Sequence, residues 1–342
     1  MDTKGTGDDT TGILDEALER LHASGPERDD WLSNHAPMAV EALVRHGHAP
    51  RVHRWLDAYR DRLEDMPAPS VRVTADTWRE ALGDPARITD WTRFFEAETE
   101  ERPWRDVLAE WWPRLLPGIA GGATHPVIRV GHAVRTLLAG EATAPRRAEL
   151  AHALGYWAAR HAPLPPLGTL AAAPTAAAAL DAVPAAAVQD GGIRERLARL
   201  TAFPQWGSAA GPDEARDRLA ELVTAATHRY AAHAHGSPVM LVHAATAPNA
   251  VLRTLPALPR ELWVPSLGAA WAASAAVTAA YRPREPVPYE TGPLHAGEVL
   301  ERAAVHGDEH VIKFADTALD VGDAAALTAA VRAVELIDPL EG

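Results

Sequence analysis

Cysteine is absent from all 342 residues, which removes disulfides, thiolate metal ligands, iron–sulfur clusters and cysteine nucleophiles together. Lysine is nearly as scarce: among 33 basic residues only Lys4 and Lys313 are lysine. Basic runs are missing as well, and a formal charge of −13 repels phosphate backbones and anionic lipid on average, so neither nucleic acid nor a membrane surface is expected as a partner. The opening MDTKGTGDDTTG has no apolar stretch behind it and reads as neither a secretory leader nor a transit peptide, making cytoplasmic the expected location. The one long uncharged run, Leu262 to Tyr281, contains Pro265 and is mostly alanine, too weakly hydrophobic for a membrane span. It reads as a core helix. Also missing are G-x-G-x-x-G after a strand, G-x-x-x-x-G-K-[ST], G-x-S-x-G and H-E-x-x-H, which removes the motif support for dinucleotide binding, P-loop chemistry, serine hydrolysis and zincin chemistry. One Glu149/His152 pair has the E-x-x-H spacing of a di-iron bundle, but no second pair completes it.

What is present is a globular composition, 47% hydrophobic and 23% charged, with helical signatures nearly everywhere. Leu14, Leu18 and Leu21 repeat at helical spacing in Thr11–Ala23, and further helices are expected at His35–Arg45, Pro50–Glu64, Trp91–Glu101 and Trp104–Leu116, the last broken by Pro113. Others follow at Gly118–Leu138, Pro145–Arg160, Asp213–Ala234, Val239–Leu255, Glu261–Tyr281, Pro293–Leu319 and Ala324–Ile337. Only Ser70–Val73 alternates as a strand does. Pro-rich breaks lie near Pro67, near Pro165 and from Arg282 to Pro293. The expected architecture is all-α: one compact multi-helix domain over 1–342 with Pro-rich loops, a flexible tail at 1–10 and an Ala/Pro-rich surface excursion at 163–190.

Sixteen histidines are the main chemical resource. His125 and His132 stand seven apart, two helical turns, and so share a face; His306, His310 and Lys313 repeat that geometry at four and three residues. His243 lies in the apolar MLVHAATAPNAV, where an imidazole is buried and needs a partner, and His35 opens SNHAPMAVEAL. His46, His48, His53 and His161 sit in charged, turn-like contexts and read as solvated. Lys313 is kept where the chain otherwise writes arginine, suggesting a role guanidinium cannot fill, such as reacting as a neutral amine. Imidazoles without thiolates suit Fe, Mn, Zn or Ni. The only carboxylates among these segments, Asp308 and Glu309, flank His310 on a different helical face, and a buried lysine carboxylated by carbon dioxide would supply the missing anionic ligand. The competing reading of each histidine is a satisfied core or surface residue.

At these same segments the chain resembles the questin oxidase-like family, known from fungal aromatic polyketide pathways and actinobacterial genomes. The resemblance runs through SNHAPMAVEAL (33–43), PWRDVLAEWWPRLLPGIAGGATHPVIRVGHAV (103–134), HAHGSPVMLVHAATAPNAVLRTLPALP (233–259) and HGDEHVIKFADTAL (306–319). It implies an oxygenase that opens an anthraquinone-type ring, using a ferrous ion held by four histidines and a carboxylated lysine. Matched by position, that set falls on His35, His125, His243, His310 and Lys313, with His132 and His306 in reserve and His243, His310 and Lys313 nearest the chemistry. Dioxygen and a small aromatic molecule are the implied partners, with Tyr156, Trp157 and Arg129 lining the pocket. NADPH is associated with some members, and no motif here would bind it. Two other readings stand beside this one: a hydrolase built on the same histidines and carbamylated lysine, and a nonenzymatic helical binding protein.

Overall fold

The computed structural model describes residues 8–340, so Lys4 and most of the expected tail lie outside the described residues. The chain is all-α. Its first half holds α1 (Asp8–His22), α2 (Ala36–Arg45), α3 (Val52–Tyr59), α4 (Trp78–Ala81), α5 (Ile88–Glu101), α6 (Trp104–Leu115), α7 (His125–Ala139) and α8 (Ala144–Ala159). The second half holds α9 (Ala176–Ala182), α10 (Ile193–Ala198), α11 (Pro212–His233), α12 (Pro238–Leu241), α13 (His243–Thr254), α14 (Trp263–Tyr281), α15 (Ala296–His306), α16 (Glu309–Val321) and α17 (Ala324–Leu336). Two strand pairs decorate them: β1 (Glu27–Arg28) antiparallel to β2 (Leu32–Ser33), and β3 (Gly168–Ala172) parallel to β4 (Ala202–Gln205).

The strand expected at Ser70–Val73 does not form. Those residues pair with no neighbouring strand; Asp90 on α5 instead takes the Ser70 and Val71 amides at 3.0 and 3.1 Å, diverting two of the donors a ladder would use. Pro113 does not break α6, since Trp111, Trp112 and Leu115 on either side of it are buried, and Trp112 Nε1 donates to Ser266 Oγ at 2.8 Å. Burial of large apolar surface outweighs the one lost helical bond. The segment 163–190 is only partly an excursion: β3 is exposed, but α9 buries Ala176, Ala179 and Leu180 and packs on α11. The apolar run at Leu262–Tyr281 is α14, which packs on α11 and α13. It is long and apolar enough to cross a membrane by length and composition, and 61% of its most apolar window is buried inside the protein.

Four helices far apart in sequence form a ring: α2 packs on α7, α7 on α13, α13 on α16 and α16 back on α2. The α7–α13 contact is the tightest, for a Cβ on Gly131 would stand 2.5 Å from the Ala250 Cβ. Of the continuous helices expected from the sequence, Val239–Leu255 is divided at Val242, just before His243, and two further interruptions bear on the ring. The first is at Gly122, Ala123 and Thr124, whose φ values of 54°, 54° and 67° delay the start of α7 to His125. The second is at Gly307, φ +79°, which ends α15 and lets Asp308 cap α16 by accepting from the His310 and Val311 amides.

Candidate metal centre

His35 is the residue before α2, His125 opens α7, His243 opens α13 and His310 lies in the first turn of α16. All four imidazoles therefore sit at helix N-termini, and the ring brings those termini to one point. Ring centroids are 4.5 Å apart for His35–His125, 4.4 Å for His35–His310, 4.4 Å for His125–His243 and 5.8 Å for His243–His310. Nitrogens of His35, His125 and His310 lie within 4.8 Å of one another. Lys313, one turn along α16 from His310, closes the group with Nζ 2.9 Å from His35 Nδ1.

His35 and His125 are held from outside the cluster. The His35 amide donates to the Tyr59 hydroxyl at 3.2 Å, and Tyr59 stacks on Trp55, whose Nε1 donates to the Gly307 carbonyl at 2.7 Å. His125 Nδ1 donates to the Gly122 carbonyl at 2.6 Å, leaving Nε2 as the free lone pair. That bond depends on the left-handed turn at 122–124. Two of the three residues there carry a Cβ, so the turn costs of order 1 kcal/mol or more at each. Tyr156 supports the turn from behind, its hydroxyl near Gly122 and 2.7 Å from Ser33 Oγ.

The centre is largely buried, and burial disfavours protonation of three of its imidazoles. His243 and Lys313 have no exposed surface, and His35 has 3%. Burial first, then the Lys313 charge and neighbouring imidazoles, hold His35 and His125 well below the usual histidine range; for His243 burial is followed by His125 and Lys313. Burial likewise lowers the Lys313 amine to about 8, although Glu309 and Asp308 oppose the shift. Four helix N-termini add positive potential, so the vicinity favours an anion and disfavours added protons.

Several buried nitrogens here have nothing to bond: His125 Nε2 and both ring nitrogens of His243; His310 Nδ1 has only the Asp308 carboxylate, at 3.5 Å. Leaving a buried polar atom unpaired costs about 1–3 kcal/mol, and imidazoles with that defect at one point form a donor set that a borderline divalent ion would satisfy. The residues present therefore fit a mononuclear nitrogen-rich metal centre. An amine that loses its proton readily could complete it with an oxygen donor by adding carbon dioxide.

The two reserve histidines are elsewhere. His132 is two turns along α7 from His125, and its Nδ1 lies 2.7 Å from Glu41 Oε2. His306 is separated from His310 by the break at Gly307 and places Nε2 3.0 Å from the Ile337 carbonyl. His46, read as solvated, is mostly buried, with Nε2 2.8 Å from Asp316 Oδ1. His152 is buried too, 3.2 Å from Glu96, with its ring centroid 4.5 Å from that of His22. Of the expected pocket residues, Arg129 is committed to a two-bond pair with Glu149 at 2.6 and 2.8 Å. Tyr59 and Gly122 were not singled out from the sequence, and Asp308 stood out there only as a carboxylate flanking His310, not as the cap of α16. Its local signal for that role is a glycine–aspartate pair that marks one helix end and the next helix start. A cavity of about 460 Å³ between residues 69–75 and α5 is lined by none of the cluster residues.

The sequence profile of the family described as Questin oxidase-like matches residues 32–318, a span that includes all five cluster residues. No curated protein matches the chain.

Proposed function

The chain belongs to the Questin oxidase-like family, which points to an oxygenase-type oxidoreductase, and from that premise we propose that it is a cytoplasmic nonheme-iron enzyme that opens a ring of an anthraquinone-like aromatic polyketide. The observation that carries the reading is the convergence of His35, His125, His243 and His310 on the Lys313 amine with buried nitrogens unpaired. Ferrous iron bound by these residues would supply the one-electron chemistry that lets dioxygen react with a closed-shell aromatic.

The protein's own groups have separable tasks. Burial disfavours protonation of His35, His125 and His243 and so keeps them available as ligands. It also leaves a usable fraction of Lys313 neutral near pH 7, the form that attacks carbon dioxide: the nitrogen–carbon bond forms, one proton leaves for solvent, and a carbamate anion remains. The converging helix N-termini stabilise that anion. Access is from one side, because the Lys313 and His243 end is sealed while the His310 side chain keeps 12% exposure and His125 keeps 8%. A flat substrate and dioxygen would enter along that edge, and any reductant would be supplied from outside.

Metal analysis of protein prepared without a histidine tag, paired with oxygen uptake on a hydroxyanthraquinone, tests the reading. One iron per chain with oxygen consumption is the expected result. Zinc with hydrolytic turnover would favour the hydrolase, and no bound metal would leave a binding protein. Lys313→Arg should lose both iron and turnover; full retention of both would rule out the carbamate.

A further inference from the structure

The four helices of the ring run in the same direction, with the cluster at their N-terminal ends, and they meet again toward their C-terminal ends. There each contributes a charged side chain to one buried network: Glu41 from α2, Arg135 from α7, Arg253 from α13 and Asp316 from α16. Arg135 is the hub. Its Nε donates to Glu41 Oε1 at 3.0 Å, Nη1 to Asp316 Oδ1 at 2.9 Å and Nη2 to Asp316 Oδ2 at 3.0 Å, with a further Nη2 bond to Glu41. Arg253 reaches the same Asp316 at 2.7 Å and Asp320 at 2.7 Å. Asp316 has no exposed side-chain surface, and Glu41 and Arg135 have 8% each.

Glu41, His132 and Asp316 have the mutual spacing of a metal site, but the Arg135 guanidinium binds both carboxylates and is the resident cation. The geometry of these bonds is unforgiving. Slipping one helix by one residue moves its side chains about 1.5 Å along the axis and turns them about 100°, which breaks a fork held on two carboxylates at once.

We infer that Arg135 and Arg253 are positioning residues for the cluster: by locking α2, α7, α13 and α16 in register at one end, they fix the heights at which His35, His125, His243 and His310 meet Lys313 at the other. Neither touches the reacting atoms. The consequence for iron affinity rests on the metal-centre reading; the consequence for register does not.

The test uses full-length Arg135→Lys, which keeps the charge but cannot bridge both carboxylates, and Arg253→Met. Arg146→Met, which breaks the α8–α1 pair with Asp15, controls for general destabilisation. Two quantities are read: the labelling rate of the Lys313 amine in chelator-treated protein, by peptide mass, and Fe(II) affinity by equilibrium dialysis. With helical circular dichroism retained, both ring variants are expected to label Lys313 about ten-fold faster and bind Fe(II) about ten-fold more weakly, while the control, at a comparable melting temperature, does neither. Should Arg135→Lys not fold, Arg253→Met decides. Wild-type labelling rates in a folded ring variant, or equal acceleration in the control, overturn the inference. If the wild type takes up no Fe(II), the metal reading fails and the labelling still decides the register.

Discussion

Lys313 is the residue on which the chemistry turns, for an amine buried among imidazoles is useful as a base or as a carbamate and otherwise only a cost. Because a carbamate is a carboxylate on a long arm, Lys313→Glu should retain more iron than Lys313→Met of similar volume; equal loss in metal analysis would argue against an anionic ligand there. Lys313 was legible in the sequence because it broke a compositional habit, and His35, His125, His243 and His310 because they stood in apolar or helix-opening strings. Tyr59, Arg135 and Asp316 were not, since each acts through partners up to 270 residues away and leaves no local pattern. Asp90 is a second residue of this kind. It accepts from Ser70, Val71 and Arg87 while nearly buried, so Asp90→Ala should lower stability by about 1–3 kcal/mol in denaturant titration without changing iron content.

Helices were visible in the periodicity, but their ends were not, and the ends are where the centre is built. His306, His310 and Lys313 have ideal spacing for one face of one helix, yet Gly307 and Asp308 end that helix and start another, sending His306 away. The same holds before His125, where three left-handed residues replace the helix expected from Gly118. Gly307→Ala would force a Cβ into φ +79° and against Leu340 at 3.2 Å, costing about 1–2 kcal/mol and shifting the start of α16. Gly131→Ala acts on the ring itself: its Cβ would meet Ala250 backbone and side chain at 2.5–2.9 Å, pushing α13 off α7. Overpacking of that kind typically costs about 1–3 kcal/mol. The expected outcome is a lowered melting temperature together with weaker iron binding, since the displaced helices carry His125 and His243.

For the whole molecule, the absence of strand periodicity was enough to identify an all-α fold. Parallel alignment of α2, α7, α13 and α16 was not readable, because long connections through other helices separate them. The interior holds several buried ion pairs, among them Arg129–Glu149 and Arg135–Asp316, and these set its acid limit. Burial alone would raise the Glu149 carboxyl, but Arg129 overrides it and holds the group at about 2 against an ordinary 4.5; Asp316 is held well below its usual range by Arg135 and Arg253 against the same burial. A depressed carboxylate stabilises the fold above its unfolded value and loses that contribution as pH falls toward the folded one. Stability should therefore decline from 4.5 toward about 2, with Glu149 contributing on the order of 3 kcal/mol. A melting temperature followed against pH should show the decline, and the paired replacement Arg129→Met/Glu149→Leu should flatten it.

The measurement closest to the central claim is an anomalous difference map at the iron edge from crystals of untagged protein grown anaerobically with Fe(II) and bicarbonate. One peak among His35, His125, His243 and His310, with Lys313 density extended by a carboxylate, is the predicted result. A cluster without a peak, or iron bound only at another place, would contradict it.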